Sequence, residues 1–457
     1  MSVDTRGKWP ETTEEERKYR KDALLKIKMA LGEDDEGRIR GPIFTKDRFK
    51  TFIEEFEPFI KREKDPLTAA LKTMKIPHMD GKPENSVTAT LTHRQEKLKI
   101  GKDGTRALTN DDNAEEKMMS IRVVQFKNKS GHTATIKLLE NDTFNINYRG
   151  TLDLTKEEEK VGEPRNKIPD YEENTKLRNM LRQCPLGLRY QSSRSHMYNP
   201  EEKISSEDLE KSILRWTAAW KGSGICDIIV KTLKANAETM PRINRVVCFG
   251  LGCLNRDSKD GPGMCYVQHL AAATIRDTLQ TAQPNDQGHP NVIEVHAQDP
   301  EYTPRCKGLL EKINIKTVNA TLAEGMTLID KNTFVMTMTS DPDIFDPVVV
   351  LTLPEGPAGL WSYKITGNVE DLSTVIAETK RDELDTSEIV SDRMWNYIQS
   401  CKRFPITGSD WFGVAPIKSI SGFDANGNPI YRLDENGNVV CKTVDTELYL
   451  RKLPESK

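Results

Sequence analysis

The chain has no CxxC pair, no GxxxxGK[ST] run, no long apolar stretch and no marked excess of either charge. Each absence removes a class of function. The eight cysteines, at 184, 226, 248, 253, 265, 306, 401 and 441, are scattered and have only seven histidines for company, so the spacing of a zinc site is missing. Cysteines in apolar runs, such as Cys248, pack as small hydrophobes and point to a reducing compartment. Without a phosphate loop that ends in lysine, an ATP site of that kind is excluded. No apolar run approaches the roughly 20 residues that span a bilayer. The opening MSVDTRGKWPETTEEERKYRK lacks the apolar core of a signal peptide, so a cytoplasmic protein with no membrane partner is expected. A formal net charge of -3 gives the whole molecule no attraction for nucleic acid, and no DNA partner is expected, although a local basic face is compatible with it.

What is present is the grammar of an α/β protein. Arg245-Val-Val-Cys-Phe-Gly-Leu-Gly252 reads as a strand running into a glycine turn. An amphipathic helix over 266–283 follows, then a strand over 292–297 that exits at Gln298-Asp299-Pro300. Further strands are predicted at 316–318, 333–339 and 360–365, with a helix over 307–313, and 346–353 fits either a helix or a buried strand. Short strands alternating with helices imply βαβ units, and the predicted fold is a doubly wound, mainly parallel sheet. Ser206 is the expected cap of a helix through Trp220, and 222–237 continues as another. Residues 368–402 are predicted helical.

Three regions are predicted. Residues 1–165 form an N-terminal α+β region. Within it lie helices at 23–31 and 46–62, a polar, turn-rich stretch over 63–118, and a small antiparallel sheet over about 119–155. On the second helix, Phe49, Phe52, Ile53, Phe56, Phe59 and Ile60 recur at helical spacing and are read as core. Residues 166–402 hold a helical lead-in and the sheet domain. Residues 403–457 form a C-terminal β-hairpin extension, marked by Asn-Gly pairs at 426–427 and 436–437.

Three blocks carry a family resemblance: VVCFGLGCL at 246–254, QHLA at 268–271 and AQDPEYT at 297–303, with WKGSGIC at 220–226 upstream. Over roughly 215–365 the chain resembles the sensitivity-to-red-light-reduced-like domain family in its fungal form. In size and layout it is similar to one branch, the arginine-containing cyclodipeptide synthases, which carry an acidic DDxxE motif; here Asp111-Asp112-Asn-Ala-Glu115 fits it. The resemblance implies an enzyme of secondary metabolism that joins arginine from arginyl-tRNA to an amino acid from a second aminoacyl-tRNA, as a diketopiperazine. It implies Asp111, Asp112 and Glu115 as catalytic residues. It implies no metal and no cofactor, the activation energy being already in the ester. A non-enzymatic regulatory or small-ligand-binding member of the same domain family is the alternative.

The residues themselves leave two readings of the acidic motif. In a helical turn Asp111 and Glu115 share a face, and Asn110 caps the turn with carboxylates facing the helix dipole. Alternatively, carboxylates grip a guanidinium with paired charge-assisted hydrogen bonds and take a proton from an α-ammonium. The expected substrate-binding set is Gly250, Gly252, Gln268, Asp299 and Tyr302. Glycine at a strand end admits a ligand closely, and Asp299 otherwise starts an Asp-Pro turn. GLGCLN lacks the third glycine of a dinucleotide fingerprint. His269 is read as a packing residue. Ser223 and Cys226 have no adjacent base to make either a nucleophile. Arg189, Tyr190, Arg194, His196 and Tyr198 interleave basic and aromatic groups, as a solvated loop or an RNA contact would.

Overall fold

The structure is a computed structural model that describes residues 46–60, 71–77, 85–100, 115–138, 143–148, 171–181, 184, 186–191, 205–254, 264–337, 352, 355–365, 367–368, 389–390, 392–406, 417–418, 420–423, 429–431, 441–442 and 446–453. The expected helix at 23–31, the ambiguous stretch 346–351 and the basic-aromatic positions 194–198 lie outside these.

Helix α1 (Lys46–Ile60) buries Phe49, Phe52, Phe56 and Phe59, so its aromatic stripe is core as expected. It packs on β1 (Lys72–Ile76), the first strand of an antiparallel sheet continued by β2 (Val87–Ile100), β3 (Glu115–Lys127) and β4 (Thr133–Leu138). The sheet is larger than the sequence suggested, because β1 and β2 occupy what reads as a polar, turn-rich stretch. Only the first half of β2 alternates, with Val87, Ala89 and Leu91 buried. The rest, HRQEKLKI, carries helix-favouring polar residues. It is held extended by pairing with β3 from Thr88↔Lys127 to Ile100↔Glu115, so tertiary pairing overrides local propensity. The hairpin between β3 and β4 turns at Gly131, whose φ is 82°. Strand β5 (Thr143–Tyr148) leaves this sheet and pairs antiparallel with β6 (Leu186–Gln191), across α2 (Tyr171–Met180). Arg189 and Tyr190 therefore stand on a strand, not in a loop.

Helix α3 (Ser206–Lys221) is capped by Ser205, one residue before the expected cap; its Oγ accepts from the Asp208 N–H at 3.1 Å. Helix α4 (Gly224–Asn236) follows. The main sheet then begins with β7 (Arg245–Phe249), α5 (Met264–Ala282), β8 (Glu294–Gln298), α6 (Pro304–Lys312), β9 (Ile315–Thr317), the short α7 (Glu324–Thr327), β10 (Thr333–Thr337) and β11 (Gly359–Tyr363). Strand β12 (Gly367–Asn368) pairs with β13 (Ile389–Val390), where a helix was expected. Helix α8 (Asp392–Ser400) runs directly into β14 (Cys401–Ile406). Two small antiparallel pairs follow: β15 (Ile417–Lys418) with β18 (Cys441–Lys442), and β16 (Ile420–Phe423) with β17 (Pro429–Tyr431). The last strand is β19 (Thr446–Arg451).

Seven strands form the main sheet in the order β14-β19-β11-β10-β7-β8-β9. The five from β11 to β9 are parallel, and β19 and β14 add antiparallel to β11. The boundary expected at 402/403 thus falls inside a strand, and β14 and β19 are part of the sheet rather than an extension. Pro405 is tolerated because β14 is an edge strand, where a missing N–H costs no ladder bond. Alternate residues of each strand serve two cores. Val246, Cys248, Val295, Ala297, Met336 and Trp361 face α3, α4, α5 and α6. Val247, Phe249, Val335, Leu360 and Tyr449 join the core shared with α8, α1 and the antiparallel sheet. Helices therefore cover both faces of a mixed sheet, which explains the near-continuous apolar runs of its strands.

Candidate functional site

Parallel strands bring their carboxyl ends to one edge, and the chain order reverses between β7 and β10, which are neighbours there. Open α/β sheets bind ligands at such a crevice. Beyond Phe249 the chain turns through Gly250-Leu251-Gly252. Both glycines hold positive φ, 65° and 78°, a region that costs a side chain strain. The Gly250 N–H donates to the Gln298 carbonyl at 3.0 Å and extends the β7–β8 ladder by one step. Leu251 is buried. At Gly252 a Cβ would lie 2.5 Å from Cys265 Sγ, so the turn presses against the first turn of α5.

Asp299 fixes this turn from the neighbouring strand exit. One carboxylate oxygen accepts the Gly252 N–H at 2.7 Å and the other the Glu301 N–H at 2.9 Å. The residue is 7% exposed. Both oxygens thus carry backbone donors, charge-assisted bonds of the strong kind. An Asp-Pro turn was the bland reading of this residue, and the Glu301 bond is that turn. The Gly252 bond is additional: it ties two loops of the rim together.

His269 and Tyr302 make a second, deeper link. His269 Nδ1 lies 2.5 Å from the Cys265 carbonyl, which can only accept, so Nδ1 carries the proton. Its Nε2 then accepts from the Tyr302 hydroxyl at 2.7 Å. Burial holds His269 down to a pKa of about 4 and keeps it neutral. Burial, aided by the Asp299 carboxylate, pushes Tyr302 well above its ordinary value. The pair anchors α5 to the β8–α6 connection, so His269 is the packing residue the sequence suggested, with a specific partner. Gln268, beside it, is buried too, at 4% exposure.

Sequence reasoning missed three rim features. Thr337 ends β10 opposite Phe249, is 1% exposed, and its hydroxyl has no hydrogen-bond partner among the described residues. A buried orphan hydroxyl is costly and calls for an explanation, such as a bound ligand or water. Gln298, ending β8, accepts the Gly325 N–H at 2.7 Å and holds α7 under the same edge. Cys253 and Cys306 bring their sulfurs to 3.0 Å. The alternation of strand residues hints at the first two; nothing in the spacing announces the third.

The acidic motif is placed less favourably. Asp111 and Asp112 lie outside the described residues. Glu115 opens β3, so the capped helical turn that was one of the two readings of the motif does not hold it, and its side chain is 74% exposed and 3.1 Å from Lys117. The long β2–β3 pairing is the reason: it draws Glu115 into register with Ile100. Ser223 caps α4, accepting the Cys226 N–H at 3.2 Å and donating to the Trp220 carbonyl at 2.7 Å. Burial raises the Cys226 thiol and keeps it protonated. Neither is prepared as a nucleophile. Among the described residues no group of three or more His, Cys, Asp or Glu could hold a metal ion, and no helix is long and apolar enough to cross a membrane.

The SRR1 domain (sensitivity to red light reduced) matches residues 229–350, from within α4 to beyond β10. The glycine turn, His269, Asp299, Tyr302 and Thr337 all fall inside that match. No curated protein and no solved structure matches the chain significantly.

Proposed function

We propose that the carboxyl edge of the parallel sheet binds the aminoacyl end of a charged tRNA. On this reading the chain is an arginine-containing cyclodipeptide synthase, releasing a diketopiperazine from arginyl-tRNA and a second aminoacyl-tRNA. The sheet is then doubly wound, with its ligand crevice at the switch point between β7 and β10. One observation carries the choice of site: the buried Thr337 hydroxyl, without a partner among the described residues, stands on the strand beside the Gly250–Gly252 turn, which Asp299 ties to the next strand's exit. Gly250 lets a ligand approach the backbone, Gly252 packs the turn against Cys265, Asp299 and Tyr302 set the shape of the rim, and Gln268 stands near the start of α5. Asp111, Asp112 and Glu115 bind the guanidinium or accept the proton of the attacking amine. Most of the rate then comes from holding two reacting ends together. Incubation with arginyl-tRNA and mixed aminoacyl-tRNAs, followed by mass spectrometry, tests it. Arginine-containing cyclic dipeptides are expected; their absence with every partner refutes the synthase.

A second reading has its own support. Glu115 is exposed, on a strand and paired with Lys117, and His269 has its accepting nitrogen filled. Both favour a ligand-binding protein that performs no reaction. Neutralising Asp112 and Glu115 separates the two, because only the synthase loses its activity.

A further inference from the structure

The antiparallel sheet shows a face that the rim does not use. Its apolar side is core. On the opposite side lies a cavity of about 380 Å³, lined by Lys75, Ser86, Thr88, Thr90, Gln125 and Lys127 together with the turn residues Asn128 and Lys129. Strand register builds the row: Lys75 stands opposite Thr88, and Thr88 opposite Lys127. The two lysines are therefore two strand spacings apart, roughly 10 Å between backbones. Lys129 adds a third ammonium from the β3–β4 turn, donating to Asn85 Oδ1 at 3.2 Å.

Three features define what fits there. Among the described residues the lining holds three cations and no carboxylate, and none of the three lysines is ion-paired. Hydroxyls and amides fill the spaces between them, groups that donate to and accept from a ribose 2′-hydroxyl or donate to a phosphate oxygen. Among the described residues no aromatic or aliphatic side chain lines the cavity, so they offer neither a stacking platform for bases nor an apolar seat for lipid. We propose that this face of the antiparallel sheet binds the sugar-phosphate backbone of RNA, without reading its sequence. A chain of net charge -3 then meets its polyanion through a local patch, where pairing with phosphates positions and does not specify. The inference concerns a surface other than the rim and uses the tRNA reading only to choose a probe.

The test is binding of unacylated bulk tRNA to the full chain, by fluorescence anisotropy, between 50 and 200 mM salt. Lys75→Gln, Lys127→Gln and Lys129→Gln are combined. Removing one lysine–phosphate pairing flattens the salt dependence by about 0.7 to 0.9 log units per decade of salt. The triple variant's loss of affinity over that salt range is then about 20- to 40-fold smaller than the wild type's. Lys231→Gln, Lys234→Gln and Lys307→Gln, exposed lysines elsewhere, keep the wild-type slope. An unchanged slope in the first set, an equal change in the second, or equal binding of a DNA of the same sequence overturns the proposal. If the triple variant fails to fold, the three single variants carry the comparison at about one slope unit each. The readout needs no product, so a chain that makes no diketopiperazine can still bind RNA here, and an active synthase with unaltered slopes refutes this face alone.

Discussion

Replacing Asp299 removes the element that shapes the rim. Its carboxylate is buried and bonded to the N–H groups of Gly252 and Glu301 at 2.7 and 2.9 Å. Asp299→Ala leaves both donors without an acceptor, at a cost of about 1–3 kcal/mol each. Asp299→Asn keeps one carbonyl oxygen and turns an amide N–H₂ toward the second donor, so it costs roughly half as much. The consequence is local, and hydrogen exchange at single amides is the assay. In Asp299→Ala the Gly252 amide is expected to exchange about 5 to 150 times faster, the factor that corresponds to 1–3 kcal/mol. The Glu301 amide accelerates with it, and Asn falls between Ala and wild type. The Gly250 amide, which donates to a backbone carbonyl, changes least. Wild-type exchange at Gly252 in both variants would show that the carboxylate does not hold the turn, and the account of the rim would fall with it.

The other predictions concern neighbouring parts. His269 is held to a pKa of about 4 when folded, against about 6.5 when unfolded. The unfolded chain therefore takes up a proton first, and stability present above pH 6.5 is lost as pH falls toward 4, by about 1.4 kcal/mol per pH unit from this group. His269→Phe flattens that part of the stability-pH curve in a denaturation series, and an unaltered slope refutes the assignment. Tyr302→Phe leaves Nε2 without a donor and lowers stability by about 1–2 kcal/mol at neutral pH, measured by denaturant midpoint. Gly252→Ala meets both a positive φ and Cys265 Sγ. It costs about 1–2 kcal/mol from the backbone alone, and adding Cys265→Ala recovers only the steric part. Under the synthase reading Asp111→Asn, Asp112→Asn and Glu115→Gln each abolish cyclic dipeptide while the melting temperature stays within a degree or two. Full product from all three leaves the motif without a role.

The legible parts were those where local pattern and tertiary placement agree. RVVCFGLG announced β7 and its glycine turn because apolar β-branched residues followed by glycine satisfy the strand and the φ > 0 turn together. The stripe on α1 was legible because each phenylalanine is buried on one helical face. The second half of β2 was not, because its polar residues become a strand only through β3, a partner some twenty residues away. The same non-local pairing places Glu115 on a strand rather than in the helical turn that one reading of its motif required. Strand β19 was hidden for a different reason: TELYLR alternates weakly, and only its place between β11 and β14 buries both Leu448 and Tyr449. At the site, Gly252 and Asp299 stood out singly, but their bond spans 47 positions of sequence, and no spacing rule links them. The close approach of Cys253 to Cys306 and the orphan hydroxyl of Thr337 are products of the same long-range assembly.

The rim geometry also constrains who moves protons if peptide bonds form there. Joining two aminoacyl esters needs an acceptor for the proton of the attacking ammonium. Asp299 has both oxygens committed to backbone N–H groups. His269 has one nitrogen protonated and the other filled by Tyr302, and Tyr302 is far too weak an acid to cycle near neutrality. These groups hold shape and do not exchange protons. A synthase built on this rim must then draw its base from elsewhere: from Asp111, Asp112 and Glu115, or from solvent, which takes the proton of an α-ammonium whose ordinary pKa is about 8, while a ribose hydroxyl relays the amine's next proton to the leaving 3′ oxygen. The synthase reading with a protein base and the acidic motif consequently stand together. Product made at an undiminished rate by a chain lacking all three carboxylates leaves solvent as the proton acceptor, with the rim acting by position alone.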